Sequence, residues 1–440
     1  MLETSLSEYA CRHIVGGCGM ASASETGGIV RTKLVDAAEV VTGLQRLESI
    51  DLLRGLVMVI MAIDHIRDYM TWRSAPPEIL SSHNSFALFF TRWITHFCAP
   101  TFFFLAGTGA ALMMARRSRS EVSHFLWTRG LWLMFLECTV VSFAWTFIPI
   151  PFPSILVIFQ LGLSMVILAA LIHVPVPWLT GFSLLVIATH NLFDHVNAAA
   201  LRTPFAQIWV VLHQMGQLPP PVKFVFVLYP VVPWFAVMSA GFCFGAIVRQ
   251  PRPERIRYTA MIGAATTLLF VLLRGFNLYG NSTNPNMFAT GPWHPMQTVA
   301  MSVAAFLNTT KYPPSLQYLL MTMGPALLAL ALFDRMQWGR GWLASKLVVF
   351  GRVPMFYYIC HLYTVHLVAL AFALAFHQPA KRLEWMGGGF FMSPPPPGFG
   401  FNLPMIYLAW VVSIVILYFP CARYAKYKTA HKENIWLSYL

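Results

Sequence analysis

Charged residues are scarce in this chain. Only 11% of its 440 residues are Asp, Glu, Lys or Arg, whereas 57% are hydrophobic and the mean hydropathy is +0.61. Soluble domains carry about 25% charged residues, so the composition excludes an ordinary water-soluble protein. Long apolar segments separated by short polar ones instead predict an integral membrane protein whose partner is the lipid bilayer.

Paired cysteines and cofactor motifs are also lacking. The seven cysteines are an odd number, include no C-x-x-C pair and lie mostly in apolar segments, which excludes a disulfide framework and a zinc site. No Walker loop, G-x-G-x-x-G, H-E-x-x-H or G-x-S-x-G motif occurs. We therefore expect no metal, no nucleotide-binding loop and no serine nucleophile.

Positive charge is present but dispersed. Lys and Arg number 30 against 17 Asp and Glu, giving a formal net charge of +13. These residues form short clusters between apolar segments, with no basic face or recognition motif, so nucleic acid is not an expected partner. Their concentration in alternate loops predicts that both termini are cytoplasmic. The oligomeric state is not predictable from the sequence.

The apolar pattern predicts an all-α, polytopic membrane protein with about ten (10–11) transmembrane helices in one bundle. Residues 46–420 form this membrane domain, between a disordered cytoplasmic tail at 1–45, in which Met20 is an alternative start, and a basic cytoplasmic tail at 421–440. Short apolar helices near Phe205–His213 and Met296–Leu307 are interfacial or provide an eleventh span. The ten predicted segments are Leu52–Met70, Leu88–Met114, Phe125–Ile148, Ile155–Ile172, Trp178–His190, Phe224–Val248, Tyr258–Leu273, Leu316–Phe333, Pro354–Phe376 and Pro404–Phe419.

The stretch RLESIDLLRGLVMVIMAIDHIRDYMTW at 46–72 places charged residues inside an apolar helix. Each Asp or Arg at a bilayer centre costs roughly 2.5–3.5 kcal/mol, so such residues are retained where they pair or line a polar cavity. Asp64 and Asp68 lie four residues apart on one helix face, beside His65 and Arg67. This placement predicts a site for chemistry or transport.

The spacing along this helix gives the depth of the site. Asp51 and Arg54 lie at the helix entrance, and ten residues separate Arg54 from His65. At 1.5 Å rise per residue, His65 lies about 16 Å from Arg54 and near mid-membrane. Asp51 and Arg54 are therefore expected to shape the inner mouth of the site.

The next apolar segment adds polar residues at a similar depth. TRWITHFCAPTFFFLAGTG at 91–109 carries Arg92 and His96 one helical turn apart. We expect both to form one cluster with His65, Asp64 and Asp68. For His96, simple solvation at the interface is an equally good interpretation.

A histidine in this cluster suits acyl transfer. A neutral ring with a pKa near 6.5 takes a proton from an amine or hydroxyl as that atom attacks a thioester. An adjacent carboxylate fixes the tautomer and stabilises the imidazolium, a role open to Asp64 or Asp68. The alternative is that His65 only satisfies a buried carboxylate.

The pattern D-x-x-R-G, an apolar run and a buried histidine resembles the first core helix of the transmembrane acyltransferases. The resemblance is to the bacterial members of the heparan-alpha-glucosaminide N-acetyltransferase group, and more distantly to the type-three acyltransferases with their R-x10-H motif. It extends through YPVVPWFAVMSAGF at 229–242, LNTTKYPPS at 307–315 and FGRVPMFYYICHL at 350–362.

This resemblance implies an enzyme that moves an acetyl group from cytoplasmic acetyl-CoA to an amine or hydroxyl of a sugar or glycan at the outer side. It implies His65 as general base or transient acyl carrier, with His96 and Arg92 assisting at the acceptor. The lysosomal enzyme has asparagine where this chain has His65 and a proposed catalytic histidine in the next loop. His83 is therefore a second candidate for the catalytic histidine, or a residue that binds the acceptor. The resemblance to bacterial members also implies the bacterial inner membrane as the location.

Other polar residues have two interpretations each. Lys311, in a polar segment between apolar ones, either holds an acceptor or anchors a loop. His361 and His366 are five residues apart, a poor spacing for metal ligands on one helix face, so core hydrogen bonding is favoured over a metal site. Arg352 and the arginines at 116–119 either bind the phosphates of coenzyme A or anchor the helices at the inner surface.

Two other functions remain open. One is a proton-coupled transporter or carrier that uses the Asp64, His65 and Asp68 cluster as an ion or proton relay. The other is a relative of the acyltransferases that retains only a structural role. Label transfer from radioactive acetyl-CoA to an amino sugar distinguishes the enzyme from both.

Overall fold

The computed structural model describes residues 47–71, 86–148, 154–222, 224–282, 290–336, 341–386, 396, 400–431 and 433–439. These residues are mostly helical, and the predicted all-α class is confirmed. The predicted tail at 1–45 and the candidate His83 lie outside the described residues.

Eight helices occupy the first half of the described chain. They are α1 Glu48–Met70, α2 Phe86–Trp93, α3 Cys98–Met113, α4 Arg119–Leu136, α5 Ser142–Thr146, α6 Val157–Leu171, α7 Val176–Thr189 and α8 Phe205–Leu212. A 3-10 turn at Ile94–Phe97 joins α2 to α3, another at His190–Phe193 extends α7, and a π-helical turn at Glu137–Val141 joins α4 to α5.

Eight more helices follow in the second half. They are α9 Trp234–Val248, α10 Arg252–Gly275, α11 Val299–Leu307, α12 Leu316–Met336, α13 Trp342–Arg352, α14 Pro354–Ala375, α15 Ala380–Glu384 and α16 Leu403–Ala430. A small sheet of two-residue strands, ordered β1-β3-β2, is formed by β1 Ser154–Ile155, β2 Gly216–Gln217 and β3 Phe226–Val227.

Each of the ten predicted apolar segments contains a helix, but one begins later than expected. The segment Phe224–Val248 becomes helical only at Trp234 and starts instead with strand β3. Pro230 and Pro233 lie in between, and proline cannot donate the backbone hydrogen bonds that an uninterrupted helix needs. Helix α13 was not predicted, because its eleven residues are too short for a span.

Among the described helices, six are long and apolar enough to cross a membrane. They are Phe86–Met113, Val176–Phe193, Arg252–Gly275, Leu316–Met336, Pro354–Ala375 and Leu403–Ala430. Helix α1 is not among the six although it has 23 residues, and its charged residues explain why. A total of about ten spans stays a prediction.

Helix α1 lies at the centre of the bundle. It packs against α3, α12, α13, α14 and α16, and most of its residues are buried. Its closest neighbour is α13, where Gly55 faces the Leu347 carbonyl and Gly351 faces the Asp51 carbonyl. A Cβ atom at either glycine would lie well inside van der Waals contact with the opposite backbone, so only glycine permits this approach.

We expect Gly55→Ala to destabilise the bundle. The added methyl group meets backbone rather than a movable side chain, and overpacking of this kind costs about 1–3 kcal/mol. The melting temperature in detergent should fall, whereas Gly181→Ala, where an added Cβ contacts nothing within 4 Å, should leave it unchanged. Equal melting temperatures for Gly55→Ala and the wild type would contradict the close α1–α13 contact.

Candidate active site

A cavity of about 670 Å³ follows helix α1 along most of its length. Its lining on this helix runs from Arg54, past Asp64 and His65, to Thr71. The seventeen steps from Arg54 to Thr71 rise about 25 Å along the helix axis, which approaches the roughly 30 Å thickness of the hydrocarbon core. The charged side chains of α1 that line this cavity would be costly to expose to lipid, and they face the cavity rather than the lipid.

The centre of the cavity holds a buried ion cluster. Asp64 forms ion pairs with Arg67, at 2.9 Å, and with Arg92 of helix α2. Arg67 also binds Asp68 at 2.5 Å. Asp64, Arg67 and Arg92 are almost fully buried, and Asp68 is partly open to the cavity. The predicted grouping of Asp64, Asp68 and Arg92 is thus present, with Arg67 as its link.

His65 lies beside this cluster and also lines the cavity. Its ring is edge-on to Trp145, with 4.8 Å between centroids, and 5.2 Å from the ring of His361. Within the described chain, His65 Nδ1 has no hydrogen-bond partner, and neither Asp64 nor Asp68 is bonded to the ring. Asp64 does not orient His65: its Oδ2 accepts from Arg92, and its Oδ1 lies 2.9 Å from the Arg67 guanidinium rather than bonded to the ring.

His361 of helix α14 is a neighbour of His65. From the sequence, only a core hydrogen bond is expected for it. Its Nδ1 lies 2.5 Å from the carbonyl oxygen of Tyr358. Because a carbonyl only accepts, Nδ1 must carry the proton and Nε2 must keep its lone pair. This Nε2 is buried and unpartnered among the described residues. Two imidazoles with unused nitrogens therefore lie next to each other beside the ion cluster.

Lys311 reaches the same chamber from the segment before helix α12. It is 5% exposed, lines the cavity and places its ammonium 5.1 Å from the ring centre of Tyr312. Its charge acts on both Asp64 and His65. With Arg67 and Arg92, three cations face two carboxylates, so the chamber has an excess of positive charge.

The remaining predicted residues are not all in the chamber. Asp51 and Arg54 form an ion pair at 3.4 Å, and only Arg54 lines the cavity, at one end. His96 is buried with its ring against Tyr318, at 5.5 Å between centroids, and is not part of the cavity lining. His96 belongs to the 3-10 turn Ile94–Phe97 between α2 and α3. The tighter winding of this turn points the His96 side chain away from that of Arg92.

Arg129 of helix α4 joins Arg54 at that end of the cavity. Its guanidinium lies 5.7 Å over the ring of Phe125, which also lines the cavity. Arg352 instead pairs with Glu48 at 3.7 Å, and Arg119 bonds the carbonyl of His173 at 3.3 Å. Sequence reasoning missed Arg129, because its charge falls inside an apolar segment without a motif around it.

The opposite end of the cavity is formed near the end of α1. Arg382 of helix α15 donates to the carbonyls of Tyr69, at 2.5 Å, and Thr71, at 2.7 Å, and thereby caps α1. Burial lowers the pKa of Arg382 to about 10. Its guanidinium lies 4.6 Å over the ring of Trp385, which lines the cavity beside Thr71.

Metal ligation finds no support in the described ranges, where no three His, Cys, Asp or Glu side chains are placed to hold an ion. His361 and His366 do not share a site. His366 Nδ1 lies 3.0 Å from the carbonyl oxygen of Ala144, and its ring stacks on Phe147 and Tyr69.

Comparison with known families places the chain. The family model described as heparan-alpha-glucosaminide N-acetyltransferase, catalytic, matches residues 46–275, more than half of the chain. The chain belongs to this family. No curated protein matches the sequence. The predicted resemblance to this family is confirmed, whereas the link to its bacterial members and to the type-three acyltransferases stays a prediction. The protein is a membrane protein of an acetyltransferase family that uses acetyl-CoA.

The match to the N-acetyltransferase family covers only part of the site. It includes α1 with Asp64 and His65, the arginine on α2 and Arg129 on α4. It ends before Lys311, which lines the cavity, and before His361, whose ring contacts His65.

Proposed function

We propose that this protein transfers an acetyl group from acetyl-CoA, bound from the cytoplasmic side, to an amine or hydroxyl of a sugar or glycan at the outer side. The observation that carries the proposal is the single cavity along α1, with two arginines at one end and His65 beside an ion cluster at its centre. Ten spans, cytoplasmic termini and a bacterial inner-membrane location belong to the same proposal.

In the transfer step, His65 acts as the general base. The acceptor nitrogen or oxygen forms a bond to the acetyl carbon while its proton passes to a ring nitrogen of His65. The thioester carbonyl becomes an oxyanion, which the excess positive charge of Lys311 and Arg92 stabilises. Collapse breaks the carbon–sulfur bond, and His65 returns the proton to the leaving thiolate of coenzyme A.

His361 supports His65 in this proposal. Its free Nε2 lone pair accepts a proton or hydrogen bond from the ring of His65, so the positive charge formed during transfer is shared between two rings. This replaces the carboxylate that orients the histidine in Ser-His-Asp triads. A ping-pong route with a transient acetyl group on His65 uses the same residues.

A direct assay tests the function. Purified protein is incubated with radiolabelled acetyl-CoA and a panel of amino sugars, and acetylated product and free coenzyme A are measured. We expect both to form, and coenzyme A to raise the melting temperature. If no label is transferred and coenzyme A gives no stabilisation, the enzyme proposal fails.

Arg54 and Arg129 are the proposed contacts for the donor phosphates. We expect Arg129→Gln to raise the KM for acetyl-CoA about tenfold or more, because losing a charge-assisted hydrogen bond costs roughly 1.5–3 kcal/mol. The value of kcat should change little, since Arg129 lies far from His65. Arg119→Gln is the control, and an equal effect there would move the donor contact to the 116–119 loop.

The carrier alternative is less well supported by this geometry. A relay through Asp64, His65 and Asp68 would exchange protons at the two carboxylates during transport, yet Asp64 pairs with two arginines and Asp68 with one. Proton uptake by either carboxylate would break a buried ion pair, which is costly.

A further inference from the structure

The segment that carries Lys311 is buried although it is not helical. Residues 308–315 join helix α11 to helix α12, and all eight are buried. Irregular backbone at membrane depth is stable only where protein groups satisfy its hydrogen bonds. The groups that bind this Lys311 segment (308–315) therefore decide where Lys311 lies.

Arg274 binds the segment at its beginning. The side chain is 1% exposed, and its guanidinium donates to the carbonyls of Asn308 at 2.7 Å, Ala305 at 2.9 Å and Phe306 at 3.0 Å. Two further bonds reach the carbonyl of Gly291 at 3.1 Å and the side-chain oxygen of Gln317 at 3.4 Å. One planar group thus joins the end of α11, the Lys311 segment and the start of α12.

The partners of Arg274 are unusual for a buried arginine. Among the described residues, its hydrogen bonds go to backbone carbonyls and one amide, and no carboxylate pairs with it. Three of these carbonyls belong to the last turn and end of α11, where the helix dipole favours a positive charge. The guanidinium of Arg274 therefore binds and orders the backbone of this region.

The end of the segment is bound by helix α7 and the turn after it. His190 Nε2 lies 2.9 Å from the carbonyl oxygen of Pro314, and the side-chain oxygen of Asn191 accepts from Leu316 N–H at 2.8 Å. The side-chain amide of Asn191 in turn donates to the carboxylate of Asp194 at 2.9 Å. Burial alone would raise the pKa of Asp194, but hydrogen bonds from His213 and Asn191 outweigh it and lower the pKa.

We propose that Arg274 is a positioning residue that fixes Lys311 in the reaction chamber. Lys311 lies between the two bound ends of its segment, three residues after Asn308 and three before Pro314. The ammonium itself contacts the face of Tyr312 and makes no ion pair among the described residues, so its position follows from the backbone. The proposal rests on the proposed function, in which Lys311 stabilises the oxyanion.

A double-mutant cycle tests the coupling. Arg274→Lys keeps the charge but replaces five donors in a fixed plane by one ammonium, and should lower kcat by about 10- to 100-fold, since a displacement of 1 Å in an active site has effects of this size. The same change in a Lys311→Ala background should cost less than threefold, because the group being positioned is already absent. Arg257→Gln, an exposed arginine on the same helix, should be neutral.

A second measurement does not depend on activity. Lys311→Cys is treated with a small cationic thiol reagent, and mass spectrometry follows modification of the peptide that contains residue 311. We expect the Arg274→Lys change to alter this rate at least threefold while the melting temperature stays close to that of Lys311→Cys. If the wild type transfers no acetyl group but the labelling rate changes, the proposed function fails and the positioning role survives.

Two results would overturn the positioning role. One is full additivity of the effects of Arg274→Lys and Lys311→Ala on kcat, together with an unchanged labelling rate. This result would show that the two residues act independently. The other is loss of folding in both Arg274→Lys and Arg274→Gln, which would assign Arg274 to the stability of the bundle alone.

Discussion

Replacing His65 with glutamine should lower kcat for acetyl transfer by about 10²- to 10⁴-fold, the range that general acid–base catalysis contributes. Glutamine keeps similar size and polarity, but it takes up no proton at neutral pH. The two arginines at the donor end are untouched, so stabilisation by coenzyme A should persist. The measurement is the initial rate of label transfer at saturating acetyl-CoA, together with a melting curve with and without coenzyme A.

The controls for this variant come from other histidines. His173→Gln, an exposed side chain remote from the cavity, should retain wild-type activity. His361→Gln should lower kcat less than His65→Gln, because it removes the second ring and leaves the base in place. A His65→Gln variant with activity within threefold of the wild type would exclude His65 as the base and leave His83 and His96 as the candidates.

The central helix and its ion cluster were predictable because the cost of charge in a membrane is large. Asp64, Arg67 and Asp68 occur within five residues of an apolar run, and only a polar chamber explains them. Arg92 lies near the start of the second predicted segment, from which it can reach the same level of α1. The ion pairs of Asp64 agree with that expectation.

Other parts of the site lie beyond such reasoning. His361 comes from a distant segment, and its approach to His65 depends on how the helices pack rather than on local spacing. The sequence indicates Lys311 as a candidate, but not that it lines the same cavity as Asp64. Arg274 belongs to no motif, although its side chain points inward to carbonyls. His96 shows the reverse case, since a 3-10 turn shifted it by a rotation that an ideal helix does not predict.

Replacing Asp64 with asparagine should destabilise the protein by about 3–5 kcal/mol, the usual cost of breaking a buried ion pair by removing one partner. Asp64 is the shared carboxylate of Arg67 and Arg92, so its loss leaves two buried guanidinium groups with a single remaining carboxylate, Asp68. Lys311 adds a third cation nearby. The melting temperature in detergent should fall strongly, and acetyl transfer should be lost with it.

The matched control is Glu254→Gln, which removes an exposed carboxylate at the start of α10 and should leave the melting temperature unchanged. A double variant, Asp64→Asn with Arg92→Gln, tests the cause directly. Removing one of the uncompensated cations should recover part of the lost stability, because the penalty comes from unpaired charge rather than from a cavity. If the double variant is less stable than Asp64→Asn alone, the cluster is not held together by charge compensation, and the chamber must tolerate its arginines by hydration instead.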